Sequence, residues 1–158
     1  MNHPTNPPVD WETLVTQEEN RLYRTALAIL GNPSEAQDAV QEAFLAFLEK
    51  APADLENPGA WLMRVLVNGC KSRLRLRWRR PTVPLWEELP APSPEEREEL
   101  EELYALPPQD RVVIHLHYYE GYSTQEIAQL LHCRPGTVRS RLSRARERLR
   151  RLLGGDFQ

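Results

Sequence analysis

Cysteine is scarce in this 158-residue sequence: Cys70 and Cys133 are the only two, far apart and without zinc-ligand spacing. That argues against a disulfide-stapled scaffold and suits a reducing cytoplasm. Glycines number only seven, and period-two alternation of β-branched residues is slight, which speaks against a sheet. No apolar run is long enough to span a membrane. The stretch from Met1 to Asp10 is polar and proline-rich, with neither the basic nor the apolar part of a secretory signal. Also lacking are a glycine-rich phosphate loop and a histidine–carboxylate–nucleophile set. His115 and His117, two apart, point to different faces of a helix, and with His132 and Cys133 they match no metal-ligand pattern. The expectation is a cytoplasmic protein that is not an enzyme, holds no metal or cofactor and inserts in no membrane.

Hydrophobic residues make up 41% of the chain, enough to build a core. The net charge of -3 hides an uneven distribution. Seven basic side chains and no acid lie between Arg64 and Arg80. Eight lie between Arg134 and Arg151, against the single acid Glu147. Between Glu87 and Glu102 the sign reverses, with eight glutamates and one arginine. Two basic patches separated by an acidic stretch suggest a polyanionic partner.

Periodicity and punctuation divide the chain. Residues 1–9 read as a flexible tail because Pro4, Pro7 and Pro8 break regular structure. A helix is expected from about Asp10 to Leu30, stopped by Gly31, Asn32 and Pro33. A second opens with Ser34 and Gln37 in capping-box spacing and turns Ala36, Val40, Ala43, Phe44, Phe47 and Leu48 inward. Asn57-Pro58 starts a third, with Trp61, Leu62, Val65 and Leu66 on its apolar side. Residues 10–80 thus form one unit. Prolines and glutamates make residues 81–102 a linker, and residues 103–153 form a second unit. The fold class is all-α: two small helical domains joined by a flexible linker.

The second unit carries a helix-turn-helix pattern. Ser123 and Glu126 stand in capping-box spacing before Ile127, Ala128, Leu130 and Leu131. A turn at His132-Cys133-Arg134 leads to Pro135, tolerated in the first turn of a new helix. Val138, Leu142, Ala145 and Leu149 then face the core, and Arg139, Ser140, Ser143, Arg144 and Arg146 face outward. Arginine pairs with a guanine edge through two bonds, serine reaches bases or phosphates, and the remaining arginines neutralise phosphates.

The runs Leu106-Pro107-Pro108-Gln109-Asp110-Arg111, Tyr119-Glu120-Gly121-Tyr122-Ser123, Glu126-Ile127-Ala128 and Gly136 through Arg146 resemble the C-terminal domain of extracytoplasmic-function (ECF) sigma factors. The resemblance implies that this domain reads the minus-thirty-five promoter element through Arg134, Gly136, Thr137, Arg139, Ser140, Ser143, Arg144 and Arg146. His132 stands where the family usually has glycine, and Cys133 where it has an aliphatic residue. In the first unit, Asp38 through Leu45 resembles the family's polymerase-binding helix. This implies that Asp38, Gln41, Glu42 and Leu45 meet the polymerase. Ala60 through Val65 and the basic run after it resemble the segment that melts and reads the minus-ten element. Arg64, Asn68, Lys71, Arg73 and Arg75 are then the DNA contacts, and Trp61 a core residue rather than a stacking platform. Gly69-Cys70 departs from the larger residues usual there.

The family implies core RNA polymerase and promoter DNA as partners, with an anti-sigma factor in many members. It also implies that the chain directs polymerase to promoters and helps open the duplex. Two other readings stay open on the residues alone: a helix-turn-helix regulator that does not join polymerase, and a sigma-like interaction protein. The charge pattern adds an expectation that Glu95 to Glu102 lies against a basic patch of the free protein and suppresses DNA binding.

Overall fold

The structure, a computed structural model, describes residues 10–78 and 106–152. The expected tail (1–9), the linker (81–102) and the docking of its glutamates lie outside the described residues. Those described form six α-helices and one π-helical turn, with no strand among them. None of these helices is long and apolar enough to cross a membrane.

Helix α1 spans Trp11–Leu30. Asp10 caps it by accepting from the Thr13 backbone N–H and hydroxyl at 3.1 and 3.0 Å. It ends at Gly31, whose φ of 72° is left-handed and whose N–H bonds Leu27 O. Glycine takes that conformation without a Cβ penalty. Helix α2 spans Pro33–Lys50, and here the expected Ser34 start is corrected. Asn32 is the cap, its Oδ1 accepting from Glu35 N at 3.1 Å. Pro33 explains the earlier start: its φ fits the first helical position, where a missing N–H is harmless. Leu48 is a second correction, because it is exposed. The buried stripe of α2 is Ala36, Ala39, Val40, Ala43, Phe44 and Phe47, and Leu48 falls outside it. Helix α3 spans Pro58–Trp78, capped as expected by Asn57 Oδ1 on Ala60 N at 3.0 Å. Trp61 is partly buried, edge-on to Phe47 with ring centroids 5.6 Å apart.

Helix α4, Pro108–Ile114, runs into the π-helical turn His115–Tyr119. Gly121, at a φ of 77°, then turns the chain. The Ser123–Glu126 capping box is complete, with bonds of 2.8 and 3.1 Å, and opens helix α5, Thr124–Leu131. Helix α6, Pro135–Leu152, buries Val138, Leu142, Ala145 and Leu149 as expected. The hydrophobic core is continuous: α1 packs on α2, α3 and α4, and α3 also meets α5. The helices of the first stretch therefore lie directly on those of the second.

The link between α5 and α6 holds His132 at φ 56° and ψ 48°, in the left-handed region. That conformation costs a non-glycine residue about 1–2 kcal/mol, and the exposed His132 side chain gives little packing in return. His132→Gly is expected to raise stability by about 0.5–1 kcal/mol, the relief being partly offset by glycine's greater freedom when unfolded. Urea denaturation checks this, and an unchanged or lowered midpoint would contradict it.

Candidate nucleic-acid interface

Helix α6 turns most of the side chains expected at the minus-thirty-five element toward solvent. Arg134, Arg139, Ser140, Ser143 and Arg144 are exposed, and Gly136, Thr137 and Arg146 are half-buried. A Cβ at Gly136 would meet only Arg139 Nη2, at an ordinary 3.7 Å, so packing within the protein does not require glycine there. Two of the arginines are tethered by residues that periodicity did not single out. Arg144 Nη2 lies 3.8 Å from Asp110 Oδ1, and Arg146 Nη1 donates to Tyr118 Oη at 2.9 Å.

The basic side of α3 is divided. Arg64 and Arg75 face solvent, and Asn68 is half-buried. Arg73 pairs with Glu42 Oε2 at 2.6 Å, tying an expected DNA contact to an expected polymerase contact. Lys71 turns toward the second unit, its Nζ donating to Leu131 O at 2.6 Å. A cation on the last carbonyls of a helix is favourable, so Lys71 acts as a cap for α5. On α2, Asp38 and Gln41 are exposed beside Leu45, which keeps 58% of its surface in water.

Between the two stretches runs a polar seam that the sequence did not announce. The Arg21 guanidinium donates to Glu18 Oε1 at 2.9 Å, Tyr122 Oη at 3.1 Å, Gly59 O at 3.2 Å and Glu120 Oε1 at 3.3 Å. His115 Nε2 sits 3.0 Å from Thr25 Oγ1 and 3.3 Å from Glu120 Oε2. The fully buried Arg111 donates from Nη2 to Ile29 O at 3.3 Å. Burial alone would raise the Glu120 carboxyl, but its hydrogen bond and charge contact with His115, and then those with Arg21, hold it below its ordinary value. A cleft of about 350 Å³ collects Lys71 and Arg75 from α3 and Arg141 from α6, with no acid among the described residues that line it. Burial, then the neighbouring Arg75 and Arg141 charges, lower the Lys71 pKa, opposed by Cys133. Closing the two stretches therefore brings like charges together while the Arg21 seam holds the stretches to each other.

Two family models match the chain, one in each stretch. Residues 14–80 match Sigma-70 region 2, and residues 97–149 match Sigma-70, region 4. Among curated relatives, the ECF RNA polymerase sigma factor SigM of Mycobacterium tuberculosis (strain ATCC 25618 / H37Rv) is 32% identical over 151 residues, covering 91% of this chain and 77% of its own. The RNA polymerase sigma-H factor of Pseudomonas aeruginosa is 31% identical over 166 residues, with 90% and 86% covered. The solved sigma factor RpoE of Bartonella quintana, in complex with the anti-sigma factor NepR, superposes with a TM-score of 0.70 at 25% identity. That match covers 93% of this chain and 98% of the other. CnrH, solved with the cytosolic domain of CnrY, gives 0.63 at 25% identity over 92% and 88%.

A helix-turn-helix joined to a basic helical unit, each matched in its own stretch, defines a promoter-recognition factor. The chain belongs to the sigma-70 family of bacterial RNA polymerase sigma factors, in its extracytoplasmic-function (ECF) subfamily. It binds core RNA polymerase and promoter DNA and serves transcription initiation, and sigma factors are regulators of transcription rather than enzymes.

Glu120, with only 7% of its side chain exposed, is the acceptor shared by Arg21 and His115. Because its pKa is depressed, its contribution to the seam is full at neutral pH and is lost as pH falls below the usual carboxylate range, about 4. Glu120→Gln is expected to weaken the closed arrangement by about 1–3 kcal/mol, since Arg21 loses a charged partner. A rise in the scattering-derived radius of gyration at pH 7 checks it, and an unaltered radius and stability would contradict it.

Proposed function

We propose that residues 10–80 and 103–153 act as two separable DNA-binding units on either side of the linker 81–102, working in the cytoplasm with the polymerase and catalysing nothing themselves. Asp38, Gln41, Glu42 and Leu45 dock on core polymerase. Arg64, Asn68, Lys71, Arg73 and Arg75 track the opened minus-ten strand. Arg134, Gly136, Thr137, Arg139, Ser140, Ser143, Arg144 and Arg146 take the minus-thirty-five element. The observation that carries this reading is the exposed polar face of α6, held outward by four buried apolar residues on its reverse. Leu45 and Leu48, three residues apart and 58% and 43% exposed, make an apolar pair beside Asp38, Gln41 and Glu42 that supports a protein partner for α2.

The closed arrangement is a resting form. The two promoter elements lie about 25 base pairs apart, or about 85 Å at 3.4 Å per pair. A folded chain of this length has a radius of gyration of about 15 Å. Both elements can be held only after the units part, and residues 79–105 at full extension reach about 90 Å. Opening also frees Lys71 from Leu131 O. An anti-sigma factor is a further partner, a reading supported by two solved relatives captured with NepR and with CnrY.

Run-off transcription with purified core polymerase, on templates chosen from a randomised promoter library, tests the whole reading. A defined transcript that needs this chain is expected, and none at any template would count against it. Replacing Asp38, Gln41 and Leu45 together by alanine is expected to lower core affinity at least about tenfold without loss of helical content. Undiminished co-elution with core polymerase would move the docking surface elsewhere.

A further inference from the structure

The arginines of α6 are not equivalent. We infer that Asp110 and Tyr118 are positioning residues that hold Arg144 and Arg146 for the promoter's phosphate backbone, leaving Arg139 with Ser140 and Ser143 to read bases. The inference rests on the reading of α6 as the recognition helix and deepens it.

Asp110 stands in the first turn of α4 with its side chain only 2% exposed. Among the described residues its Oδ1 has no hydrogen-bond partner, and it looks toward Arg144 Nη2 at 3.8 Å. A buried carboxylate is costly unless a charge compensates it, and Arg144 is the cation it faces. A plain strut between α4 and α6 would bury both partners, yet Arg144 keeps 55% of its side chain exposed. A guanidinium has five N–H donors, so a contact at Nη2 leaves the others free to point outward.

Tyr118 makes the second tether. It sits on the π-helical turn, is 43% exposed, and meets His117 edge-on with ring centroids 4.9 Å apart. That contact braces the ring, and its hydroxyl accepts from Arg146 Nη1. Single π turns inside helices often mark functional positions.

Position along α6 completes the assignment. Base edges are met by the N-terminal residues of a recognition helix, the segment that holds Arg139 and Ser140. Arg146 follows Arg139 by two helical turns on one stripe, about 10.5 Å along the axis. The major groove is about 12 Å wide. A side chain that far beyond the reading turn meets the groove wall, where the phosphates are. A tethered arginine also loses less freedom on binding, an advantage of about two- to tenfold in affinity for each side chain.

The test uses the full chain with core polymerase, on duplexes carrying a selected minus-thirty-five element and each of its single-base variants, across a salt series. Tyr118→Phe and Asp110→Asn are expected to weaken binding about two- to tenfold, equally on all duplexes. Arg146→Ala should reduce the slope of log affinity against log salt by about one, and Arg139→Ala should relax the preference at one base. Adding Tyr118→Phe to Arg146→Ala should cost nothing further, whereas a merely structural tyrosine would lower stability and affinity additively. Altered base preference in Tyr118→Phe, or additive losses with Arg146→Ala, would overturn the inference. If Arg139→Ala acts while Tyr118→Phe and Asp110→Asn do nothing, the positioning role alone fails. If none of these substitutions changes DNA binding, the recognition-helix reading fails as well.

Discussion

The closed form of this sigma factor depends on one guanidinium. Arg21, in the middle of α1, meets Glu18 on its own helix, Gly59 O at the start of α3, and Glu120 and Tyr122 after the π-helical turn. A half-buried cation needs several acceptors, and these come from three separate stretches of chain. Glu120 in turn engages His115, and His115 engages Thr25 one turn along α1. Placement of the helix-turn-helix on the first three helices thus follows from polar satisfaction as much as from the shared apolar core. Such a seam can be exchanged for water more readily than packed leucine, which suits the proposal that the two units part on the promoter.

Much of the architecture was legible because it is written in local rules. Asp10, Asn57 and the Ser123–Glu126 pair cap helices where short polar side chains precede apolar runs, and Gly31 ends α1 where a left-handed residue is needed. The errors are local too. Ser34 and Gln37 had the right spacing for a cap, but Asn32-Pro33 offered a better one two residues earlier. Leu48 lies at the edge of an apolar stripe already filled by Phe44 and Phe47, and composition alone does not place that edge.

The side chains proposed to face DNA were legible to a different degree. A basic stripe opposite a buried one identifies α6 directly. It says nothing of Asp110 and Tyr118, which are 34 and 28 residues from the arginines they meet and bear no periodic relation to them. Lys71 and Arg73 look alike in the basic run, yet one caps α5 and the other pairs with Glu42. Sequence reports which side chains carry charge; which neighbour claims that charge is settled only when distant helices meet. The Arg21 seam escaped for this reason, since Arg21 and Glu120 are 99 residues apart and nothing local to either one points to the other.

The bond from Lys71 to Leu131 O joins α3 to the helix-turn-helix at a place apart from the Arg21 seam. Leu131 O is the last carbonyl before the strained turn at His132. If Lys71 takes the place on a DNA strand proposed for it, that carbonyl must turn to water and the helix-turn-helix loses its brace at the bend. Linkage makes the exchange reciprocal: whatever engaging the minus-ten strand does to the grip on the minus-thirty-five element, engaging the latter does to the former. Two recognition events separated by some twenty-five base pairs can thus be cooperative before any contact with polymerase is counted.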